Sequence, residues 1–200
     1  MKIIFATGNE NKLKEIRMIL KDMDVEIQSM KEAGVFTEIE ENGTTFEENS
    51  IIKARTIAMK TGCYALADDS GLEIDYLGKE PGIYSARYMG EDTPYTLKNQ
   101  TLLDRMAGVP DEERTARFVC AVAFVRPDGS CLTAVETMEG RVAYEAAGVN
   151  GFGYDPIFYL PEKGCTSAEL SPEDKNAISH RGKALRKMRE LIKDEIASLS

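Results

Sequence analysis

Lys2-Ile3-Ile4-Phe5-Ala6 leads into a polar stretch, Thr7–Lys12, and then into Leu13, Ile16, Leu20 and Met23 at helical spacing. The unbroken apolar run reads as a buried strand, and the three- and four-residue rhythm behind it as an amphipathic helix. A chain that begins strand, polar loop, helix is directed toward α/β packing, where helices cover the faces of a sheet. Later segments agree. Val25–Met30 is a second strand, and the loop from Gly34 to Gly43 carries Glu38, Glu40 and Glu41. Thr45-Phe46-Glu47-Glu48 has the spacing of a capping box and opens a helix with Ile51, Ala54 and Ala58 as its buried stripe. Asn49 and Lys53, four apart, share another face of that helix.

Leu72–Tyr76 alternates as a half-exposed strand does, and Thr93-Pro94 starts a helix with Pro94 at its first position, continued by Leu97, Thr101 and Leu102 toward Met106. A strand lies within Arg114–Arg126, Pro127-Asp128-Gly129 turns the chain, and Cys131–Gly140 returns as its hairpin partner. An antiparallel pair beside strand-helix units predicts a mixed sheet in an α/β protein. Ser171-Pro172 caps and starts another helix, and Leu185, Met188, Ile192 and Ile196 line the last one. Pro81–Tyr88 fits no element. At 200 residues and 42% hydrophobic content the chain can bury a substantial core, and one domain over 1–200 with two lobes is expected.

No run approaches the roughly 20 apolar residues of a membrane span, and Met1-Lys2 enters the first strand without a signal-peptide pattern. A cytoplasmic protein with no membrane partner is expected. The four cysteines form no C-x-x-C pair and only one histidine is present, so reduced and mostly buried thiols are expected rather than a zinc site. A net charge of -9 argues against duplex nucleic acid as a partner but leaves room for a small polyanion held by local lysines and backbone amides.

Three stretches carry candidate chemistry. Asp68-Asp69-Ser70-Gly71, behind Ala65-Leu66-Ala67, reads either as a strand delivering two carboxylates to opposite faces or as an Asx-type turn. Thr7–Lys12 suits an anion at a helix N-terminus, and equally suits an ordinary turn capped by Asn9 or Asn11. Gly151-Phe152-Gly153-Tyr154-Asp155 offers a platform for a flat ligand, or a turn anchored by core aromatics. Lys175, His180 and Arg181 follow; the lone histidine suits a hydrogen-bond donor better than a metal ligand.

Taken together, Thr7-Gly8-Asn9-x-x-Lys12, Glu41 before Thr45–Asn49 with Lys53, Ala67–Gly71, Pro81–Tyr88, Gly151–Pro156 and Lys175–Gly182 resemble the inosine triphosphate pyrophosphatase family over nearly the whole chain. The resemblance implies an elongated α/β fold with a long mixed sheet and flanking helices, two lobes around a central cleft, a Mg2+ requirement and a homodimer. It implies hydrolysis of ITP, dITP and XTP to monophosphate and pyrophosphate, sanitising the nucleotide pool. Glu41 and Asp69 are expected to hold the metal, and Asp69, Lys12 and Lys53 to carry catalysis. Thr7, Gly8, Asn9, Glu10, Asn11, Lys12 and Ser70 would meet the phosphates. Phe152, Gly153, Tyr154, Asp155, Lys175, His180 and Arg181 would meet the base, with Asp68 in support. A pyrophosphatase of pyrimidine or methylated nucleotides and a silent nucleotide-binding regulator are the alternatives.

Overall fold

In the computed structural model, which describes residues 1–199, β1 is Lys2–Phe5 and α1 is Glu10–Ile19. The Asn9 side chain caps α1, accepting from the backbone N–H of Asn11 at 2.9 Å and of Lys12 at 3.2 Å. β2 (Glu26–Ser29) and β3 (Tyr64–Ile74) pair parallel with β1 on either side, Lys2 opposite Glu26 and Ile3 opposite Tyr64. Between β2 and β3 in the chain runs α2 (Phe46–Thr61). Then come α3 (Tyr95–Arg105), β4 (Thr115–Val125) and β5 (Cys131–Val142), followed by β6 (Phe158–Leu160), β7 (Cys165–Thr166), α4 (Pro172–Ile178) and α5 (His180–Leu199). The strands form one mixed sheet in the order β2-β1-β3-β4-β5-β6-β7.

The described chain divides into two compact units. The first comprises Met1–Asp69, Cys120–Glu136 and the segment from His180 onward; the second comprises Ser70–Val119 and Thr137–Ser179. In the first, alternation along β1 sends Ile3 and Phe5 into one apolar cluster with Leu13 and Ile16 of α1 and Leu185, Met188 and Ile192 of α5. Ile4 joins the other cluster, with Ala54, Ile57 and Ala58 of α2. Both faces of the strand are covered, which is why its sequence is a continuous apolar run. Fully burying a side chain such as Leu185 or Ile192 contributes about 1.5–3 kcal/mol. The second unit has its own core, built on Leu72, Ile74, Leu102, Phe118, Ile157 and Phe158.

Several expectations are corrected. Of the two readings of Asp68-Asp69-Ser70-Gly71 the strand holds and the turn falls: β3 runs unbroken through it to Ile74, because strand pairing overrides the turn preference of Ser and Gly. The capping box is half formed; Thr45 accepts from the Glu48 N–H at 3.1 Å, but the Glu48 carboxylate turns to the Thr44 N–H at 2.6 Å and hydroxyl at 2.7 Å. Pro94 precedes α3 rather than opening it, and Leu97 is exposed, since the inward face of α3 is set by Lys98, Asn99 and Leu102. Of the four free thiols only Cys120 is buried. Among the described residues no helix is long and apolar enough to cross a membrane.

Candidate active site

Successive side chains of a strand point to opposite faces, and β3 uses this to give its two aspartates different surroundings. Asp68 Oδ2 lies 3.0 Å from Lys12 Nζ of α1 and 3.2 Å from Arg181 Nε of α5, and Arg181 also pairs with Glu15. Burial pushes the Asp68 carboxyl up, but Lys12, Arg181 and Lys53 outweigh it and hold the group well below the usual carboxylate range. Asp69 faces α2. Its Oδ1 is 3.0 Å from Lys53 Nζ, and its Oδ2 accepts from Asn49 Nδ2 at 3.4 Å. The same Lys53 ammonium is 3.0 Å from Glu41 Oε2.

Burial is the largest influence on Asp69 and lifts its carboxyl above the ordinary value, with Glu41 adding to the lift and Lys53 and Lys12 opposing it. Burial works against the Lys53 charge, but Asp69, Asp68 and Glu41 together hold it above the usual lysine value, so it stays an ammonium. Two neighbouring carboxyls in one strand are thereby separated: one is locked as an anion, the other is the better proton acceptor. Asn49 ties this cluster to the acidic loop, since its Oδ1 accepts the Gly43 N–H at 2.9 Å. A Cβ on residue 43 would stand 2.7 Å from that oxygen and 2.8 Å from Glu48 Cβ, so the close approach requires glycine.

Glu41 and Asp69 are the carboxylates available to a cation here, and among the described residues no three His, Cys, Asp or Glu side chains converge. A pair of hard carboxylate oxygens suits a hard divalent cation that completes its shell with further oxygens. Ahead of α1, the Thr7 hydroxyl accepts the Asn9 N–H at 3.1 Å, and open space surrounds the Gly8 Cα. The Asn9 side-chain oxygen is committed to capping, so its Nδ2 group, the helix terminus and Lys12 are the donors this loop can offer an anion.

In the second unit, Asp155 organises the glycine-aromatic segment. Its Oδ2 accepts the Phe152 N–H at 2.8 Å and Lys175 Nζ at 2.7 Å, and its Oδ1 accepts the Ser167 hydroxyl at 2.9 Å. Lys175 Nζ lies 4.8 Å from the centre of the Phe152 ring. Gly151 has φ +72°, and a Cβ there would stand 2.2 Å from Asp155 Oδ2. Asp155 and Tyr154 are themselves 2% and 3% exposed, so they shape the segment while the half-buried Phe152 presents it.

Three groupings thus emerge from the expected residues: Lys12 with Asp68 and Arg181; Lys53 with Asp69 and Glu41; Phe152 with Asp155 and Lys175. His180, buried, opens α5 in the first unit, while Lys175 belongs to the second. Glu10 stands exposed in the first turn of α1 beside exposed Asn11, and Ser70 and Gly153 are half-buried. Glu15, Asn49 and Ser167 complete these groupings. Glu15 sits three residues from Lys12, on one helix face, a spacing that marks it; no local pattern marks Ser167.

The sequence model of the Ham1 family matches residues 3–191. The chain belongs to the Ham1 family. It is 50% identical over 192 residues to a dITP/XTP pyrophosphatase of Desulforamulus reducens, covering 96% of each chain. It is also 50% identical over 189 residues to a dITP/XTP pyrophosphatase of Vibrio parahaemolyticus, covering 94% of each. Among solved structures, a HAM1 protein from Coxiella burnetii superposes with a TM-score of 0.89 at 42% identity, over 97% of this chain and 99% of that one. The mixed α/β fold expected from the sequence is therefore the fold of this Ham1-family member and of its structural neighbour.

Proposed function

We propose that the chain hydrolyses deaminated purine nucleoside triphosphates, namely dITP, ITP and XTP, to the nucleoside monophosphate and pyrophosphate. The observation that carries this reading is Asp69, a buried carboxylate lifted above its ordinary value and gripped by a lysine that Glu41 shares. The names of the Desulforamulus and Vibrio relatives support the same substrate class.

Cleavage to pyrophosphate has water attack the alpha phosphorus while charge builds on the departing beta and gamma phosphates. In this reading Asp69 orients the water and accepts its proton, a role that contributes typically about 10²–10⁴-fold. Lys12, Lys53, the Thr7 and Ser70 hydroxyls, the Asn9 side-chain amide and the backbone N–H groups of Gly8 and Glu10 hold the triphosphate and its developing charge. Glu41 and Asp69 would hold Mg2+, which when bound neutralises phosphate charge. Phe152 stacks on the base, and Lys175, His180 and Arg181 address its edge. Arginine and lysine only donate, which suits the 6-oxo acceptor of hypoxanthine and xanthine and opposes the 6-amino group of adenine. A net charge of -9 supports a small-molecule substrate over duplex nucleic acid, and we place the enzyme in the cytoplasm as a homodimer.

The test is pyrophosphate release from dITP, ITP, XTP, GTP and ATP, with Mg2+ and with EDTA. Release from the deaminated purines, dependent on Mg2+ and with kcat/KM well above that for ATP, is expected. Equal kcat/KM for all five would overturn the specificity, and absence of pyrophosphate would overturn the reaction.

A further inference from the structure

Lys98 and Asn99 are consecutive in α3 and both are buried, 0% and 6% exposed. Helix neighbours project about 100° apart, so the two side chains leave α3 in different directions. Each reaches a carbonyl in a different loop. Lys98 Nζ donates to Ala86 O at 2.7 Å and lies 4.9 Å from the centre of the Tyr95 ring, while Asn99 Nδ2 donates to Gly153 O at 3.1 Å. Among the described residues Asn99 Oδ1 meets no hydrogen-bond donor. A half-satisfied buried amide works against stability, and an apolar residue of similar shape would avoid it. What the amide provides is a fixed position for Gly153.

The two loops are also tied to each other. The Tyr154 hydroxyl donates to Ser85 O at 2.7 Å, and Ser85 Oγ accepts the Leu72 N–H at 2.9 Å while donating to Gly82 O at 2.6 Å. The Tyr95 ring meets Tyr154 edge-on at 5.2 Å. Pro81–Tyr88, which the reaction leaves without a role, is thus the surface against which Tyr154 is seated.

We propose that Lys98 and Asn99 are positioning residues: through Ala86, Ser85 and Gly153 they set the orientation of the Phe152–Tyr154 platform, and Pro81–Tyr88 is its buttress. The inference rests on the assignment of Phe152 to the base. A residue that aims only the base platform affects nucleotides and spares ligands that have no base. For Lys98→Met and Asn99→Leu, KM for dITP should rise about tenfold with kcat within about threefold, and preference for dITP over dGTP should shrink. The inhibition constant of inorganic tripolyphosphate should stay within about twofold, and amides 152–154 should exchange hydrogen faster. A parallel rise of the dITP KM and the tripolyphosphate constant, or no change in either, overturns the proposal. Should both variants fail to fold, Ser85→Ala, which removes a single hydroxyl, must show the same split at about threefold, and its absence is equally decisive. If the wild-type chain releases no pyrophosphate from dITP or XTP, it is the reading of the reaction that falls. Hydrogen exchange on the same variants then decides the positioning claim, with unchanged exchange at 152–154 refuting it.

Discussion

Asp68 and Asp69 differ by one step along β3, yet replacing each by asparagine should produce opposite outcomes. Asp68 is 1% exposed at its side chain and carries Lys12 and Arg181 on one oxygen. Removing one member of a buried ion pair costs about 3–5 kcal/mol, because a charge is left without compensation. Two features bring Asp68→Asn to the lower end. Lys12 is 17% exposed and can turn toward water, and Arg181 keeps Glu15. Asparagine preserves the volume, so no cavity opens. A loss of about 3 kcal/mol corresponds to a fall in Tm of roughly 6–12 °C for a chain of this size. Asp69→Asn instead removes a buried charge that burial and Glu41 already oppose, and Lys53 retains Glu41 at 3.0 Å. Its Tm should move by no more than about 3 °C, while turnover falls by about 10²–10⁴. Calorimetry in EDTA, which removes any contribution from metal binding, and initial rates of pyrophosphate release make the comparison. Equal losses of Tm in the two variants, or wild-type turnover in Asp69→Asn, would refute the division of roles.

Lys53→Met leaves Glu41 and Asp69 facing a gap where an ammonium stood. Its kcat/KM should fall by at least about 100-fold, and Mg2+ should raise its Tm more than that of the wild type, as thermal scans with and without the ion would show. Gly151→Ala meets both a left-handed backbone and the Asp155 carboxylate. It should lose at least about 1 kcal/mol in urea unfolding and raise KM for dITP through displacement of Phe152. Asp75 is held down to about 2 by its hydrogen bond to Lys79, with Thr115 and Arg117 adding to the effect against burial. Its folded value lies below the ordinary 3.8, so its contribution to stability is present above pH 4 and is lost as pH falls from about 4 to about 2. Asp75→Asn should therefore shallow the acid limb of the stability curve, an effect weakened by salt because the group is partly exposed.

The parts of the fold legible in the residues are those with a local physical cause. β1 declares itself because both of its faces are covered, α1 because Leu13, Ile16 and Leu20 share one side, and the helix starts because Asn9, Thr45 and Ser171 cap them. The separation of Asp68 from Asp69 follows from strand geometry alone. The continuation of β3 through Ser70 and Gly71 does not, since neighbours in the sheet, not the composition of the segment, keep it extended. Long-range pairings escape for the same reason. Arg181 lies 166 residues from Glu15 and 113 from Asp68, and no spacing rule joins them. Lys98 and Asn99 look like surface residues of an amphipathic helix until their two carbonyl partners are located.

Cys120 lies on β4 with no exposed surface, and burial, reinforced by Asp68, pushes its thiol far above the ordinary cysteine value. Thiolate is the reactive form, so alkylation at this position waits for the strand to come open. Its labelling rate therefore measures how often the centre of the first unit breathes, with half-buried Cys63, Cys131 and Cys165 as internal standards in the same tube. The protein carries a built-in stopwatch for local opening on the strand beside the one whose Asp68 carboxylate anchors Lys12 and Arg181.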